Sequence, residues 1–242
     1  MNQILILLII SATAPLLGAL IGILKKPSKE FMYILLAFAA GVMLSVSFLQ
    51  LMPESVRMSS IWISAVGIVV GSLLMYALDK IIPHLHPELG SQEQGGKLKK
   101  SAIYLIIGIF MHNIPEGMAI AIGAFSGLKV GFAIALSIAI HNIPEAACTS
   151  ASYYYLTRKR KNSFFLASLT SISVLIGFFL LYFFYQIIPE SSIGLLIGAT
   201  AGIMIYISAD ELIPSSCSLS GSHATIFSLI AGVVIVVLLG LI

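Results

Sequence analysis

Long apolar blocks, each closed by a short polar cluster, follow one another along the whole of this 242-residue chain. Eight are separable, at about residues 4–24, 31–52, 61–82, 102–125, 130–156, 164–188, 193–214 and 224–242. A helix needs about 20 apolar residues to cross a hydrocarbon core about 30 Å thick, and each block is near or above that length. The separators are polar or turn-forming, as in "KKPSKE", "ELGSQEQGGKLKK" and "RKRKNS". The pattern predicts an all-α integral membrane protein with eight transmembrane helices in a single domain, 1–242. Its longest loop, 83–101, joins spans 3 and 4.

Composition agrees with the pattern and excludes a soluble domain. The chain is 59% hydrophobic and only 10% charged, where soluble domains run about 25% charged, and its mean hydropathy is +1.05. No Lys or Arg precedes the first apolar block, and Pro15 follows its Ala12-Thr13-Ala14 triplet. That block therefore reads as span 1 rather than as a cleaved leader. Cys148 and Cys217 lie in different segments and suggest no disulfide framework.

Charge sets the orientation. Lys25, Lys26, Lys29, Lys80, Lys97, Lys99, Lys100, Arg158, Lys159, Arg160 and Lys161 fall at or after the ends of odd-numbered spans, against Arg57 and Lys129 on the other side. Positive residues stay in the cytoplasm, which puts both termini outside the cytoplasm and the 83–101 loop within it. The basic run at 158–161 then anchors topology, and no nucleic-acid partner is expected; the bilayer is the partner.

Two stretches repeat. "GVMLSVSFLQLMP" (41–53) and "GIMIYISADELIP" (202–214) match at Gly, Met, Ser, Leu and Pro. They lie in spans 2 and 7, which run in opposite directions, so the repeat is inverted. The expected architecture is 3+2+3, with spans 1–3 mirrored by spans 6–8 around a central pair. Inverted repeats with Pro-interrupted helices near the midplane belong to carriers that work by alternating access.

The central pair carries the chemistry. "HNIPE" occurs at 112–116 and again, 29 residues later, at 141–145. On a helix, His112, Asn113 and Glu116 share one face, as do His141, Asn142 and Glu145. Imidazole with carboxylate suits Zn²⁺ and its first-row neighbours, and the nitrogen disfavours Mg²⁺ or Ca²⁺. Pro115 and Pro144 each free a carbonyl and bend the helix. A carboxylate at a helix centre costs on the order of 2.5–3.5 kcal/mol on insertion scales, which argues for a task. Three readings stay open: a metal site, a proton relay for another solute, or polar packing between helices. Catalysis is not expected, because no HExxH occurs and no general base remains beyond the ligands.

At these residues the chain resembles the ZIP family of zinc/iron permeases, close to its bacterial ZupT/GufA-like branch. The resemblance rests on eight spans, HNxPE in consecutive spans 4 and 5, and "AGIMIYISADELIP" in span 7. It implies uptake of zinc, and of iron, manganese, cadmium or cobalt, into the cytosol across the cell membrane. The metal is cargo rather than a permanent cofactor. It further implies a homodimer in which spans 1, 4, 5 and 6 slide as an elevator against spans 2, 3, 7 and 8. His112, Glu116, His141 and Glu145 would form the primary site, with Asn113 and Asn142 lining a second.

The chain departs from that family in three places. Span 6 reads "SISVLIGFF", with Val174 three residues before Gly177 where binuclear members carry an acid. One principal metal is therefore expected. Ala146 and Ser152 stand where the family has Gly and Pro, and Gln50 replaces an often acidic residue. Along the pathway, Asp210 and Glu211 are exit candidates, Glu54 an entrance candidate, and His84 and His86 cytoplasmic candidates. Cys148, at i+3 from Glu145, is either a soft ligand or a small buried thiol.

Overall fold

The computed structural model describes residues 2–24, 28–81, 96–185, 187–217 and 223–240. His84 and His86 lie outside these. The side chains of 2–5, 29, 81, 96–109, 112, 128, 156 and 190 are likewise outside, so His112 is placed by its backbone alone.

Every described element is helical. Helices α1 (Asn2–Leu24), α2 (Lys29–Val46), α3 (Met52–Met58), α4 (Ile61–Ile81), α5 (Gly96–Ser126) and α6 (Leu128–Thr157) fill the first two thirds. They are followed by α7 (Arg160–Ser168), α8 (Thr170–Phe184), α9 (Glu190–Ile207), α10 (Ile213–Ser216) and α11 (Ala224–Leu239). Among the described residues, six helical stretches are long and apolar enough to cross a membrane: Ile6–Leu24, Glu30–Met58, Ile61–Lys80, Lys129–Tyr155, Arg160–Phe184 and Ser191–Ser216. This is a multi-pass membrane protein. Its outward faces carry exposed Leu, Ile, Val and Phe, as lipid requires.

Local chemistry explains the boundaries. Ser28 caps α2 by accepting from the Phe31 N–H at 3.2 Å. One residue, Gly127, separates α5 from α6, and its φ of +129° is open to glycine but not to a side chain. Arg158 ends α6 in the left-handed conformation.

Two π turns interrupt the helices that contain the repeated sequence. The first spans Ser47–Leu51, between α2 and α3, and the second Ser208–Leu212, between α9 and α10. They occupy matching positions of the aligned stretches. In each, the opening serine hydroxyl bonds the carbonyl four residues back: Ser47 to Met43 at 2.9 Å and Ser208 to Met204 at 2.8 Å. In each, the closing N–H reaches five residues back, Met52 to Ser47 and Ile213 to Ser208. Pro53 and Pro214 follow. A proline offers no N–H and crowds the carbonyl four residues earlier, and widening the turn before it relieves that clash. Leu51 and Leu212 share φ −72° and ψ −46°.

The helices sort into two groups by how closely their backbones approach. In one group, Gly18 and Gly22 of α1 lie against carbonyls of α6 at Ile143 and Ala147. There too, Gly117 of α5 and Gly177 of α8 face the carbonyls of Val174 and Ile114 reciprocally. In the other, Gly41 and Gly232 interlock α2 with α11, and Gly71 and Gly202 interlock α4 with α9. Small residues that admit a neighbouring backbone are how helices bind each other where lipid removes the hydrophobic drive. Among the described residues, every such glycine contact between helices joins two members of one group. The groups meet chiefly where α2 lies along α6, through buried side chains such as Met32, Met43, Val46 and Ile138.

Candidate metal centre

Helices α5 and α6 form the antiparallel hairpin that carries both cassettes, closed at one end by Gly127. Pro115 and Pro144 both lie inside their helices. Near mid-hairpin, one ligand atom from each of Glu116, His141 and Glu145 lies within 4.8 Å of the others, and all three residues are buried. A tetrahedral ion with bonds of about 2.0–2.2 Å holds its ligands about 3.3–3.6 Å apart, so small side-chain rotations close this set on one ion.

Hydrogen bonding determines which histidine nitrogen is available. His141 Nδ1 lies 3.1 Å from the Ser137 carbonyl, one turn earlier on α6. A carbonyl only accepts, so Nδ1 carries the proton. Nε2 is then the ligating nitrogen, and it stands 2.9 Å from Glu116 Oε1. One proton is shared across that contact, and a metal ion would take its place. The carbonyl behind the ring fixes its tautomer and plane, as outer partners of ligating histidines generally do.

The other predicted residues divide. His112 stands one helical turn before Glu116 on α5; its side chain is outside the described residues. Asn113 is buried and its Nδ2 donates to the Thr170 carbonyl at 3.5 Å, where α7 gives way to α8. Its Oδ1 and both amide atoms of Asn142 are buried without a hydrogen-bond partner among the described residues. The break at Leu169 leaves hydroxyls to satisfy local carbonyls, Thr170 to Ala167 at 2.7 Å and Ser173 to Thr170 at 2.6 Å. Val174 is fully buried, so α8 presents its backbone rather than an acid to the cassette on α5.

Glu54 is buried, and Arg57 one turn on grips both its oxygens at 2.8 and 2.5 Å. Asp210 is exposed and Glu211 half-buried, both within the second π turn. Cys148 sits in the apolar core, while Cys217 is exposed. Sequence reasoning missed Ser137, although its i−4 spacing from His141 was the signal. Gln50, which the sequence marks only as a departure from an often acidic position, donates its Nε2 to Ser137 Oγ at 3.1 Å.

Comparison with known proteins points the same way. A family model described as ZIP Zinc transporter matches residues 1–97 and 84–240. A protein named zinc transporter ZupT from Enterobacter sp. (strain 638) is 32% identical over 236 residues, covering 94% of this chain and 92% of its own. Proteins of the same name from Salmonella paratyphi A and Salmonella newport (strain SL254) are each 31% identical over 236 residues, with the same coverage.

Proposed function

The chain belongs to the ZIP zinc transporter family, and from that premise we propose that it carries Zn²⁺ into the cytosol through Glu116, His141 and Glu145. A member of that family is a transporter and not an enzyme. The observation that carries the reading is the buried Glu–His–Glu set itself. Two carboxylates in a membrane interior are costly alone, and a divalent cation neutralises them. His112, one turn from Glu116, is the natural fourth ligand. Asn113 and Asn142 line a weaker second position, because span 6 supplies no acid. The donor set also suits Fe²⁺, Mn²⁺, Cd²⁺ and Co²⁺.

In this reading α5 and α11 complete eight spans, both termini lie outside, and the chain acts as a homodimer in the cell membrane. The matched π turns and the mirrored helix pairings, α2 with α11 and α9 with α4, support an inverted repeat. The glycine contacts support an elevator, since they interlock helices within each group and leave side chains to slide between the groups. Asp210 and Glu211 would receive the ion on its exit. Purified protein in liposomes should take up radiozinc saturably, with Cd²⁺ competing. Proton flux without zinc movement would instead favour a proton-coupled carrier of another solute.

A second result follows from the proton shared by His141 and Glu116. Zinc must displace it, so binding should release protons and weaken as pH falls, by about tenfold per pH unit for one proton. Calorimetry in buffers of different ionisation enthalpy measures the release. Binding indifferent to pH would contradict the proton assignment.

A further inference from the structure

The bond from Gln50 Nε2 to Ser137 Oγ joins the two helix groups beside the metal centre. Gln50 belongs to the first π turn, on the α2 side. Ser137 lies on α6, where its own carbonyl accepts from His141 Nδ1. One residue thus holds the site histidine on its backbone and the opposite group's amide on its side chain. The extra residue in a π turn re-aims the side chains within it, and such turns recur at functional positions. Gln50 Oε1 has no hydrogen-bond partner among the described residues, so the Nε2 bond is what ties this amide to α6.

We propose that Gln50 is a positioning residue whose amide latches α6 to α2 in this conformation, steadies His141 through Ser137, and releases when zinc crosses. The proposal rests on the zinc-carrier reading above. The repeat makes the latch one-sided. Gln50 aligns with Glu211 of the second π turn, and the residue 29 positions before Ser137 is Gly108. Glycine carries no hydroxyl, so the repeat does not reproduce the acceptor that Ser137 offers. The latch therefore favours one end of the transport cycle over its mirror image.

Two measurements test this in liposomes. First, uptake by Gln50→Met, Ser137→Ala and the double variant is resolved into kcat and KM. Each single change should raise both, by roughly two- to tenfold, the equilibrium shift expected from one hydrogen bond. The double variant should go no further than either single one; additive effects would overturn the latch. Second, in a Cys148→Ser/Cys217→Ser background that transports zinc, the pair Gln50→Cys and Ser137→Cys is bridged with a short bis-methanethiosulfonate, which joins each thiol through a reducible disulfide. Uptake should stop and return on reduction. A bridged protein that still transports overturns both the latch and the sliding of α6 on α2. Blocked uptake with an additive cycle overturns the latch alone. Absence of zinc uptake in the unmodified protein overturns the carrier reading, and the latch with it.

Discussion

Zinc uptake should fall at least about a hundredfold in Glu116→Gln and in His141→Ala, with the protein still folded. Changes to groups that merely support a ligand already cost about 10–100-fold in metal affinity, and these two changes remove a ligand itself. Glutamine keeps the shape of the buried carboxylate and can still donate to His141 Nε2, 2.9 Å from Glu116 Oε1 in the native chain. It loses an anionic oxygen, and its NH₂ cannot bind a cation. Thermal unfolding separates loss of site from loss of fold. Zinc at a hundred times its dissociation constant should stabilise the native chain by about 2.7 kcal/mol, and the variants should melt normally without zinc and gain nothing from it. Cys148→Ser is the control, since that thiol packs in the apolar core and its loss should leave uptake intact. Native uptake and zinc stabilisation in Glu116→Gln would sink the assignment.

Gly177→Leu should cost the fold first, and the site through it. A Cβ at Gly177 would collide with the carbonyl of Ile114, and one at Gly117 with the carbonyl of Val174. Both obstacles are backbone, so no side-chain rotation relieves them. Overpacking ordinarily costs about 1–3 kcal/mol, and a backbone obstacle stands at the upper end or above. For a chain of this size, about 3 kcal/mol lowers the melting point by roughly 6–12 °C. Displacing Ile114 would also shift Glu116, so any surviving protein should bind zinc weakly. Fluorescence-detected chromatography after heating reads the loss, with Gly240→Ala as control, because Gly240 meets only the last turn of its own helix. A Gly177→Leu protein that melts like the native chain would show that α5 and α8 are not interlocked there.

The apolar blocks and the HNIPE spacing were legible because both depend on composition and helical period. Glu116, His141 and Glu145 lie together in the structure, and His112 is placed one turn before Glu116 by its backbone alone. The π turns were not legible: a serine that back-bonds and a proline downstream are each common, and only together do they widen a turn. The break at Leu169 was hidden for a similar reason, since "SLTSIS" reads as ordinary apolar helix with small hydroxyls. Asn113 turns to the Thr170 carbonyl, a contact between two helices that no periodicity announces. The bond between Gln50 and Ser137 spans 87 positions of sequence and follows from packing alone. Glu54, an entrance candidate by sequence, pairs with Arg57, and their i,i+3 spacing was enough to expect that ion pair.

The one-residue link at Gly127 has a consequence for how this chain can be edited. Loop tips ordinarily tolerate inserted residues. Here an insertion would act as a miscut on a dowel, because the hairpin has no slack to absorb it. A slip of α6 by one position would advance His141 about 1.5 Å and turn it about 100° about the helix axis, off Glu116. The coordinating atoms are thus gauged from a point 11 residues beyond one ligand and 14 before another. A one-residue connection would thus set the spacing of the proposed metal site.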